Sequence, residues 1–367
     1  MNDPCIAGFG EIMLRLSPPG ALRFPQSLPG TLEATFGGGE ANVCASLAIL
    51  GGKSRYLTVL PRNPVADALV AQLRGIGVDT TRILRTDKGR LGIYFTEVGA
   101  NQRGSSVVYD RAMSSIAQAE PADYDYAAML DGVTWLHITG ITPALSEVAY
   151  LSTLAIAAAA AERGITISCD LNFRKKLWNW RKGTAPKALA AACMGKIVPL
   201  VDVIVGNEED AQDVFGIAAR GTSVEAGRLD VEAYADVAKS LSEMFPKARH
   251  IAITLRESIS ADHNNWGAML YDVAETAAHF APLDADGRYR PYEIRDIVDR
   301  IGGGDSFSAG LIHGLSGCRP DTTPKQALAF AVAASCLKHS VRGDYNFTSL
   351  AEVESLLQGS ASGRVKR

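Results

Sequence analysis

Three consecutive glycines followed by an acid, at residues 302–305, are the residues best placed to do chemistry. Gly302, Gly303 and Gly304 lead into a predicted helix whose first turn carries Asp305. Backbone N–H groups without neighbouring side chains at a helix N-terminus form an anion hole, suited to a phosphoryl group during transfer. Asp305 would accept the proton of an attacking hydroxyl. The plainer interpretation is a glycine turn with Asp305 as a capping acid, and this segment taken alone fits both.

A second glycine cluster precedes another predicted helix near the start of the chain. Gly37, Gly38 and Gly39 are followed by Asn42. Backbone without side chains allows a polyhydroxylated ligand to lie against it, and the Asn42 amide could bond its hydroxyl groups. The alternative is an ordinary glycine loop in which Asn42 caps the helix.

Polar residues also follow a predicted strand in the middle of the chain. In the run Asp170-Leu171-Asn172-Phe173-Arg174, strand periodicity places Asp170, Asn172 and Arg174 on one side. They leave the carboxyl end of a parallel strand, which is where ligands bind in open α/β sheets.

A predicted β-hairpin over residues 92–111 carries a third group of polar side chains. Tyr109 and Arg111 share one face by the period of two, and Tyr94 lies in the partner strand. An arginine can bind a carboxylate through two parallel hydrogen bonds, a contact that a neutral sugar does not require. The alternative is a set of amphipathic side chains on an exposed hairpin.

The elements that must position these residues alternate between strands and helices. The predicted strands are Cys5–Phe9 and residues 55–59, 133–138, 165–170, 201–205 and 250–254. The predicted helices cover 42–50, 64–76, 147–163, 185–196, 231–244, 306–315, 324–339 and 349–357. This alternation favours an α/β fold: a three-layer α/β/α sandwich with a mostly parallel central sheet.

Two segments break the alternation, residues 12–36 and about 90–112. We expect them to form together a small β-sheet that acts as a lid on one domain spanning residues 1–367. The tail from 359 to 367 is small and polar, and it is predicted to be flexible.

Composition excludes several classes of protein. The chain has 367 residues, 47% of them hydrophobic, and a formal net charge of −3 without a basic tract, so we expect neither a nucleic-acid nor a membrane partner. Its 35 glycines are roughly a tenth of the chain, above the usual share of about 7%. The start of the chain resembles no signal peptide, and the six cysteines are scattered, as in reduced cytosolic proteins. The expected location is therefore the cytoplasm.

The sequence does not match several common nucleotide-binding and metal-binding motifs. The dinucleotide fingerprint at Gly8-Phe9-Gly10 has Met13 where its third glycine must stand. The P-loop ending at Gly52-Lys53-Ser54 has Leu47 in place of its first glycine. The histidines lack a zinc-ligand spacing, so a zinc site is not expected.

The two glycine clusters together resemble the two signatures of the PfkB (ribokinase-like) carbohydrate kinase family. The early signature reads Gly37-Gly38-Gly39-x-x-Asn42, and the late one runs from Gly302 through Asp305 to Gly310. The resemblance covers nearly the whole chain, and within the family it is greatest for 2-keto-3-deoxygluconate kinases. It implies ATP and Mg²⁺ as cofactors, a sugar acid as substrate, and Asp305 as the base beside the anion hole of Gly302, Gly303 and Gly304. By analogy it also implies a homo-oligomer.

The resemblance assigns site residues one by one. It implies substrate contacts at Gly38, Gly39, Asn42, Tyr94, Tyr109, Arg111, Asn172, Arg174, Asp305 and Asp344. It implies ATP contacts at Asn172, Asn207, Thr254, Arg256, Gly302 and Gly304, and an indirect, water-mediated role of Asp210 toward the metal.

This chain departs from the family pattern in several places. Asp210 stands where glutamate is usual, and Arg300-Ile301 replaces two threonines near the phosphates. Thr254-Leu255-Arg256 stands in place of the usual glycine turn beside the nucleotide, and an insertion with Asn264-Asn265-Trp266 follows, which leaves the adenine contacts open. A kinase of a neutral sugar, such as fructose or ribose, and a catalytically silent sugar or nucleotide sensor are the alternatives.

Overall fold

The computed structural model describes residues 3–207, 209–219 and 233–359. Its strands are β1 (Cys5–Phe9), β2 (Met13–Ser17), β3 (Glu33–Gly37), β4 (Lys53–Leu57), β5 (Val59–Pro61), β6 (Leu84–Thr86), β7 (Gly92–Glu97), β8 (Ser106–Asp110), β9 (Trp135–Thr139), β10 (Thr166–Asp170), β11 (Val203–Asn207), β12 (His250–Ser258), β13 (Asn264–Asp272), β14 (Ala277–Ala281) and β15 (Tyr292–Ile294). Its helices are α1 (Phe24–Ser27), α2 (Gly39–Ile49), α3 (Pro64–Ile76), α4 (Ser115–Gln118), α5 (Tyr126–Met129), α6 (Glu147–Glu162), α7 (Pro186–Ile197), α8 (Asp210–Phe215), α9 (Ala233–Met244), α10 (Gly303–Leu315), α11 (Pro324–Lys338) and α12 (Leu350–Leu357).

One large sheet runs through the centre of the molecule in the order β14-β13-β12-β11-β10-β9-β1-β4, with β15 paired to β13. The neighbouring strands β12, β11, β10, β9, β1 and β4 are parallel. At the other edge, β13, β14 and β15 extend the sheet with antiparallel pairing. Crossover helices connect the parallel strands, as a parallel sheet requires.

Both faces of this sheet are buried. Along β11, Val203 and Val205 pack on one face with α10 and α11, while Ile204 packs on the other face with α6, α7 and α9. Neighbouring residues of a strand point to opposite faces, so an apolar run such as Val203–Ile204–Val205 fits a sheet covered by helices on both sides. The predicted α/β/α sandwich is confirmed.

Local sequence signals set several of the helix ends. The side chain of Asn63 accepts the N–H of Ala66 at the start of α3, and Gly77 ends that helix in the left-handed conformation at φ 104°. At α6, the Ser146 hydroxyl accepts the Ala149 N–H at 3.0 Å. Such caps explain why these helices begin and end close to their predicted bounds.

A second sheet of four strands, in the order β3-β2-β7-β8, is the lid sheet. Its strands come from both segments that break the α/β alternation, so the predicted small β-sheet is confirmed. The first segment also contains the short helix α1, although the sequence there has no helical period.

The antiparallel edge of the large sheet differs from the prediction made from the sequence. β12 continues to Ser258 and then turns back as β13, where an insertion was expected beside the nucleotide. Residues 231–232 of the predicted helix 231–244 and residues 360–367 of the predicted flexible tail lie outside the described residues. Across the described ranges, no helix combines the length and the hydropathy that a bilayer crossing needs.

Candidate active site

A cavity of about 420 Å³ lies between the carboxyl ends of the parallel strands and the lid sheet. All of the residues predicted to bind substrate, ATP or metal line it: Gly38, Gly39, Asn42, Tyr94, Tyr109, Arg111, Asn172, Arg174, Asn207, Asp210, Thr254, Arg256, Gly302, Gly303, Gly304, Asp305 and Asp344. The fold thus brings together segments from across the chain, whereas the role of each residue stays a prediction.

The glycine-rich start of α10 forms one wall of the cavity. Gly302 precedes the helix at φ 84°, a left-handed conformation that favours glycine, and its carbonyl accepts the N–H of Ser306 at 2.9 Å. The N–H groups of the first helical turn have no acceptor within the helix. Gly304 is exposed and has open space where a side chain would stand. This arrangement suits an anion placed against the helix N-terminus.

Asp305 lies in the first turn of the same helix, partly buried beside Asn42. The Asn42 amide donates to Asp305 Oδ2 at 2.6 Å, and the Asn42 carbonyl accepts the Gly38 N–H at 3.2 Å. Burial raises the pKa of the Asp305 carboxyl to about 6. A carboxylate with such a pKa holds a proton more readily than an exposed one, which suits a general base near neutral pH.

Asn42 therefore has a structural role that the sequence did not reveal. It was predicted to bond sugar hydroxyl groups, and it lines the cavity, but both ends of its amide are bonded to protein groups 4 and 263 residues away. It fixes the orientation of Asp305 and joins the two glycine clusters.

The lid sheet contributes Tyr94, Tyr109 and Arg111. Tyr94 and Tyr109 lie opposite each other on β7 and β8, and the Arg111 guanidinium lies 5.2 Å from the centre of the Tyr109 ring. The Tyr94 hydroxyl lies 2.6 Å from both carboxylate oxygens of Asp344, which the structure places behind it. Tyr94 and Asp344 are thus bonded to each other as well as lining the cavity.

Arg111 already has an acidic partner. Its Nε donates to Glu11 Oε2 at 2.7 Å, its Nη2 makes an ion pair with the same oxygen, and both side chains are buried. The other oxygen of Glu11, Oε1, is buried without a hydrogen-bond partner among the described residues. Glu11 lines the cavity too, so it belongs to the site although the sequence analysis did not select it.

The end of β10 carries Asp170, Asn172 and Arg174, but not by strand alternation as predicted. The strand ends at Asp170, and Asn172 takes a left-handed conformation at φ 38°. The rule of period two therefore stops at Asp170, although all three residues reach the same cavity. Asn172 Oδ1 is buried without a partner in the described part of the chain, whereas Arg174 is exposed and bonds its neighbour's carbonyl, that of Phe173.

Asn207 and Asp210 hold the start of α8 against the strand ends. The two Asp210 carboxylate oxygens accept the N–H groups of Phe173 and Asn207, each at 2.9 Å. Asn207 Oδ1 accepts the N–H groups of Glu209 and Asp210. Both side chains thus serve as caps as well as lining the cavity, and Asp210 has one bond on each oxygen before any metal is considered.

The structure adds three charged residues that the sequence analysis did not select. Arg15, Lys338 and Glu40 are fully buried around the cavity wall. The leucines of β2 give a misleading signal for Arg15, because Leu14 and Leu16 are only half-buried while Arg15 lies on the buried face. For Glu40, burial raises the pKa of the carboxyl to about 7 while the hydroxyl groups of Thr139 and Thr142 donate to it.

A parallel sheet covered on both faces, a small β lid and a cavity lined by both glycine clusters are typical of a ribokinase-like carbohydrate kinase. The family model described as "pfkB family carbohydrate kinase" matches residues 6–350. The chain belongs to the PfkB family, whose kinases use ATP.

Comparisons with individual proteins agree with this assignment. The crystal structure of a 2-dehydro-3-deoxygluconokinase from Thermotoga maritima is 41% identical and superimposes with a TM-score of 0.86 over 97% of this chain and 100% of that one. A 2-dehydro-3-deoxygalactonokinase from Haloferax volcanii is 32% identical over 97% of both chains. A 2-dehydro-3-deoxygluconokinase from Thermoproteus tenax is 26% identical over 96% of this chain and 94% of its own.

Proposed function

We propose that this protein transfers the γ-phosphoryl group of ATP to a 2-keto-3-deoxy sugar acid, with 2-keto-3-deoxygluconate as the substrate and its 6-phosphate as the product. One observation carries the proposal: Arg111 and Arg174 line the same cavity as Asp305 and the anion-hole glycines. The similarity to a 2-dehydro-3-deoxygluconokinase and to a 2-dehydro-3-deoxygalactonokinase supports a sugar acid of this type.

The proposed reaction is an in-line transfer. The substrate hydroxyl oxygen forms a bond to the γ-phosphorus, the bond from that phosphorus to the departing ADP oxygen breaks, and Asp305 accepts the hydroxyl proton. The N–H groups at the start of α10 stabilise the negative charge on the phosphoryl oxygens. Asn42 keeps the Asp305 carboxylate facing the reacting hydroxyl through the 2.6 Å hydrogen bond.

Mg²⁺ fits the cavity as a companion of the nucleotide and not as an ion in a protein cage. Asp170, Asp210 and Asp305 share one cavity, and the charge of Asp210 and Asp305 raises the pKa of Asp170 further after burial. Within the described residues no three metal-ligating side chains converge on one point. Asp210 would act through water, because its carboxylate oxygens already accept backbone N–H groups. A bound Mg²⁺ supplies positive charge to the phosphates.

The acid group of the substrate is assigned to the two arginines. Arg174 is exposed at the cavity wall and has no acidic partner within 4 Å among the described residues, so its guanidinium can bind a carboxylate. Arg111 uses its Nε and Nη2 for Glu11, which leaves Nη1 outside that pair. The unpartnered oxygens Glu11 Oε1 and Asn172 Oδ1 are acceptors suited to substrate hydroxyl groups.

A kinase of a neutral sugar is the second candidate, and one observation favours it. The charge of Arg111 is balanced by Glu11, so this arginine does not by itself require an acidic substrate. The contact that Arg174 makes with the substrate therefore distinguishes a sugar-acid kinase from a neutral-sugar kinase.

The test is ADP release measured with a panel of acceptors. The panel contains 2-keto-3-deoxygluconate, its C4 epimer 2-keto-3-deoxygalactonate, fructose and ribose. We expect turnover with at least one sugar acid and little with the neutral sugars. Turnover restricted to fructose or ribose would replace the proposal by the second candidate, and sugar binding without transfer to any acceptor would indicate a sensor.

Arg174→Met sharpens this test. Loss of a charged hydrogen-bonding partner costs about 1.5–3 kcal/mol, so the KM for the sugar acid should rise about 10- to 150-fold while the KM for ATP stays unchanged. The adjacent Lys175→Met is the matched control, because Lys175 is exposed and does not line the cavity. An unchanged KM for the sugar acid in Arg174→Met would remove Arg174 from the substrate site.

Two further parts of the proposal concern the protein in the cell. We place it in the cytoplasm, since its donor is ATP and its six cysteines are free thiols. We expect a homo-oligomer through the lid sheet, where Val108 is 59% exposed and the nearby Met113 is 64% exposed. Light scattering during gel filtration tests the second expectation.

A further inference from the structure

A fully buried arginine connects the lid sheet to the loop that leads into the anion hole. Arg15 lies in β2, and its Nη2 is 2.6 Å from Asp299 Oδ2 while its Nη1 is 2.9 Å from Asp344 Oδ1. All three side chains are almost completely buried. A guanidinium with two carboxylates in fixed positions holds both by charge and geometry together.

Each acid that Arg15 holds fixes a part of the phosphoryl-transfer site. Asp299 Oδ1 accepts the Ile301 N–H, and its Oδ2 accepts the Gly343 N–H, each at 3.1 Å. Ile301 directly precedes Gly302, so Asp299 sets the path of the chain into the anion hole. Asp299 also ties that path to the loop that carries Asp344.

The two loops are in close contact at the anion hole itself. A Cβ on Gly302 would lie 2.1 Å from the Asp344 carbonyl oxygen and 3.2 Å from Lys338 Cε. The Lys338 ammonium is buried and donates to the Val341 carbonyl at 3.0 Å. Two buried cations, Arg15 and Lys338, therefore lie among the acids behind the anion hole, and movement of either loop would shift its N–H groups.

The other end of the connection faces the cavity through Tyr94. Arg15 lies beside Tyr94 in the parallel pairing of β2 with β7, and the Tyr94 hydroxyl bonds the same Asp344 carboxylate. Tyr94 lines the cavity, whereas Arg15 does not reach it. A shift of the lid sheet would therefore move Asp344, which both Tyr94 and Arg15 contact. It would also move Asp299, which Arg15 contacts.

We propose that Arg15 is a positioning residue that couples the seating of the lid sheet to the geometry of the anion hole. The inference rests on the proposed kinase function. In wild-type protein the coupling favours transfer to the bound hydroxyl over transfer to water, because the anion hole is held in place only with the lid seated. In the wasteful reaction, a water oxygen attacks the γ-phosphorus and ADP leaves, which yields ADP, phosphate and a proton.

The test compares ADP formed with sugar phosphate formed, at saturating ATP and acceptor. We expect a ratio close to one for wild-type protein. Arg15→Met should raise the share of ADP lost to hydrolysis about tenfold or more and lower kcat, with little change in the KM for ATP. Arg15→Lys keeps one charge but cannot bind both acids in one plane, so it should give an intermediate ratio. A loss of stability alone would not change this ratio.

Two further variants identify the path. Asp299→Asn breaks the same link from its other end, so it should reproduce the effect of Arg15→Met, and the double variant should be no worse than either single one. Arg90→Met is the matched control. Arg90 also pairs with a lid acid, Asp110 at 2.6 Å, but at the exposed edge away from the anion hole.

A second readout needs no acceptor. Hydrogen exchange of segments 299–305 and 341–344 should be faster in Arg15→Met and Asp299→Asn than in wild-type protein, and unchanged in Arg90→Met. Wild-type exchange in both segments together with a wild-type ratio would overturn the role of Arg15. If another sugar proves to be the acceptor, the ratio is measured with that sugar. If no acceptor is phosphorylated, the proposed function fails while the exchange result still decides the role of Arg15.

Discussion

Asp305→Asn should abolish most of the activity and at the same time stabilise the protein. The reason is that partial burial raises the pKa of this carboxyl from 3.8 to about 6. At neutral pH the Asp305 carboxyl is therefore ionised at a buried position that favours its protonated form, and this lowers the stability of the folded protein. A rise of that size corresponds to about 3 kcal/mol, which asparagine would recover while its side-chain carbonyl still accepts the amide of Asn42.

The pH dependence follows from the direction of the pKa change. The native state binds the Asp305 proton more tightly than the unfolded state, so this residue lowers stability as pH rises from about 4 through about 6. In denaturant unfolding, the free energy of unfolding of Asp305→Asn should exceed that of wild type by about 3 kcal/mol at about pH 8. The difference should be much smaller near pH 4. In wild type, kcat should rise through about pH 6 and level off above it, because the ionised form accepts the proton.

The activity assay separates a base from a mere structural acid. We expect kcat to fall about 10²- to 10⁴-fold in Asp305→Asn, with the KM values for ATP and for the acceptor nearly unchanged. Asp286→Asn is the control: Asp286 is exposed and does not line the cavity, so its substitution should change neither quantity. Retained kcat would refute the role of Asp305 as base, and a variant less stable than wild type at about pH 8 would refute the reasoning from burial.

Two more predictions concern the cavity wall. Gly302→Ala should destabilise the protein and reduce activity, because φ is 84° there and the new Cβ would meet the Asp344 carbonyl oxygen at 2.1 Å. Gly304→Ala should leave the melting temperature nearly unchanged, since its Cβ would enter open space, and a thermal melt of both variants compares them. Glu40→Gln should flatten the loss of stability that wild type shows as pH rises from about 4.5 through about 7, because burial raises the pKa of Glu40 to about 7. Unfolding curves at several pH values measure it, and an unchanged slope in the variant would show that Glu40 is not the group responsible.

The sequence determined the layered α/β fold and the positions of the two glycine clusters. Apolar strands and amphipathic helices alternate along the chain, and glycine before a helix has a local meaning because the first-turn N–H groups lack acceptors within the helix. Both rules depend on residues within about four positions of each other, so the features they predict can be recognised in a single sequence. Gly302 at φ 84° and the start of α2 at Gly39 agree with that interpretation.

The antiparallel edge of the sheet was not legible in the same way. β13 is nine residues long and buried on both sides, so it lacks the alternation that marks a half-exposed strand. Its segment begins with Asn264-Asn265-Trp266, where the interrupted family pattern predicts an insertion. Its antiparallel pairing with β12, from Asn264 opposite Ser258 onward, and with β14 and β15 identifies it as part of the sheet.

The partners of the charged residues were decided by the tertiary structure alone. Arg15 binds Asp344 across 329 residues, and Asn42 binds Asp305 across 263. In β2 the buried face carries Arg15 beside Met13 and Ser17, and the half-buried face carries both leucines, which hydrophobicity alone would place inside. A buried charge needs a partner of opposite sign, and that partner comes from whichever segment the fold brings within reach. Local sequence therefore located the glycine-rich start of α10, whereas long-range packing decided what holds it in place.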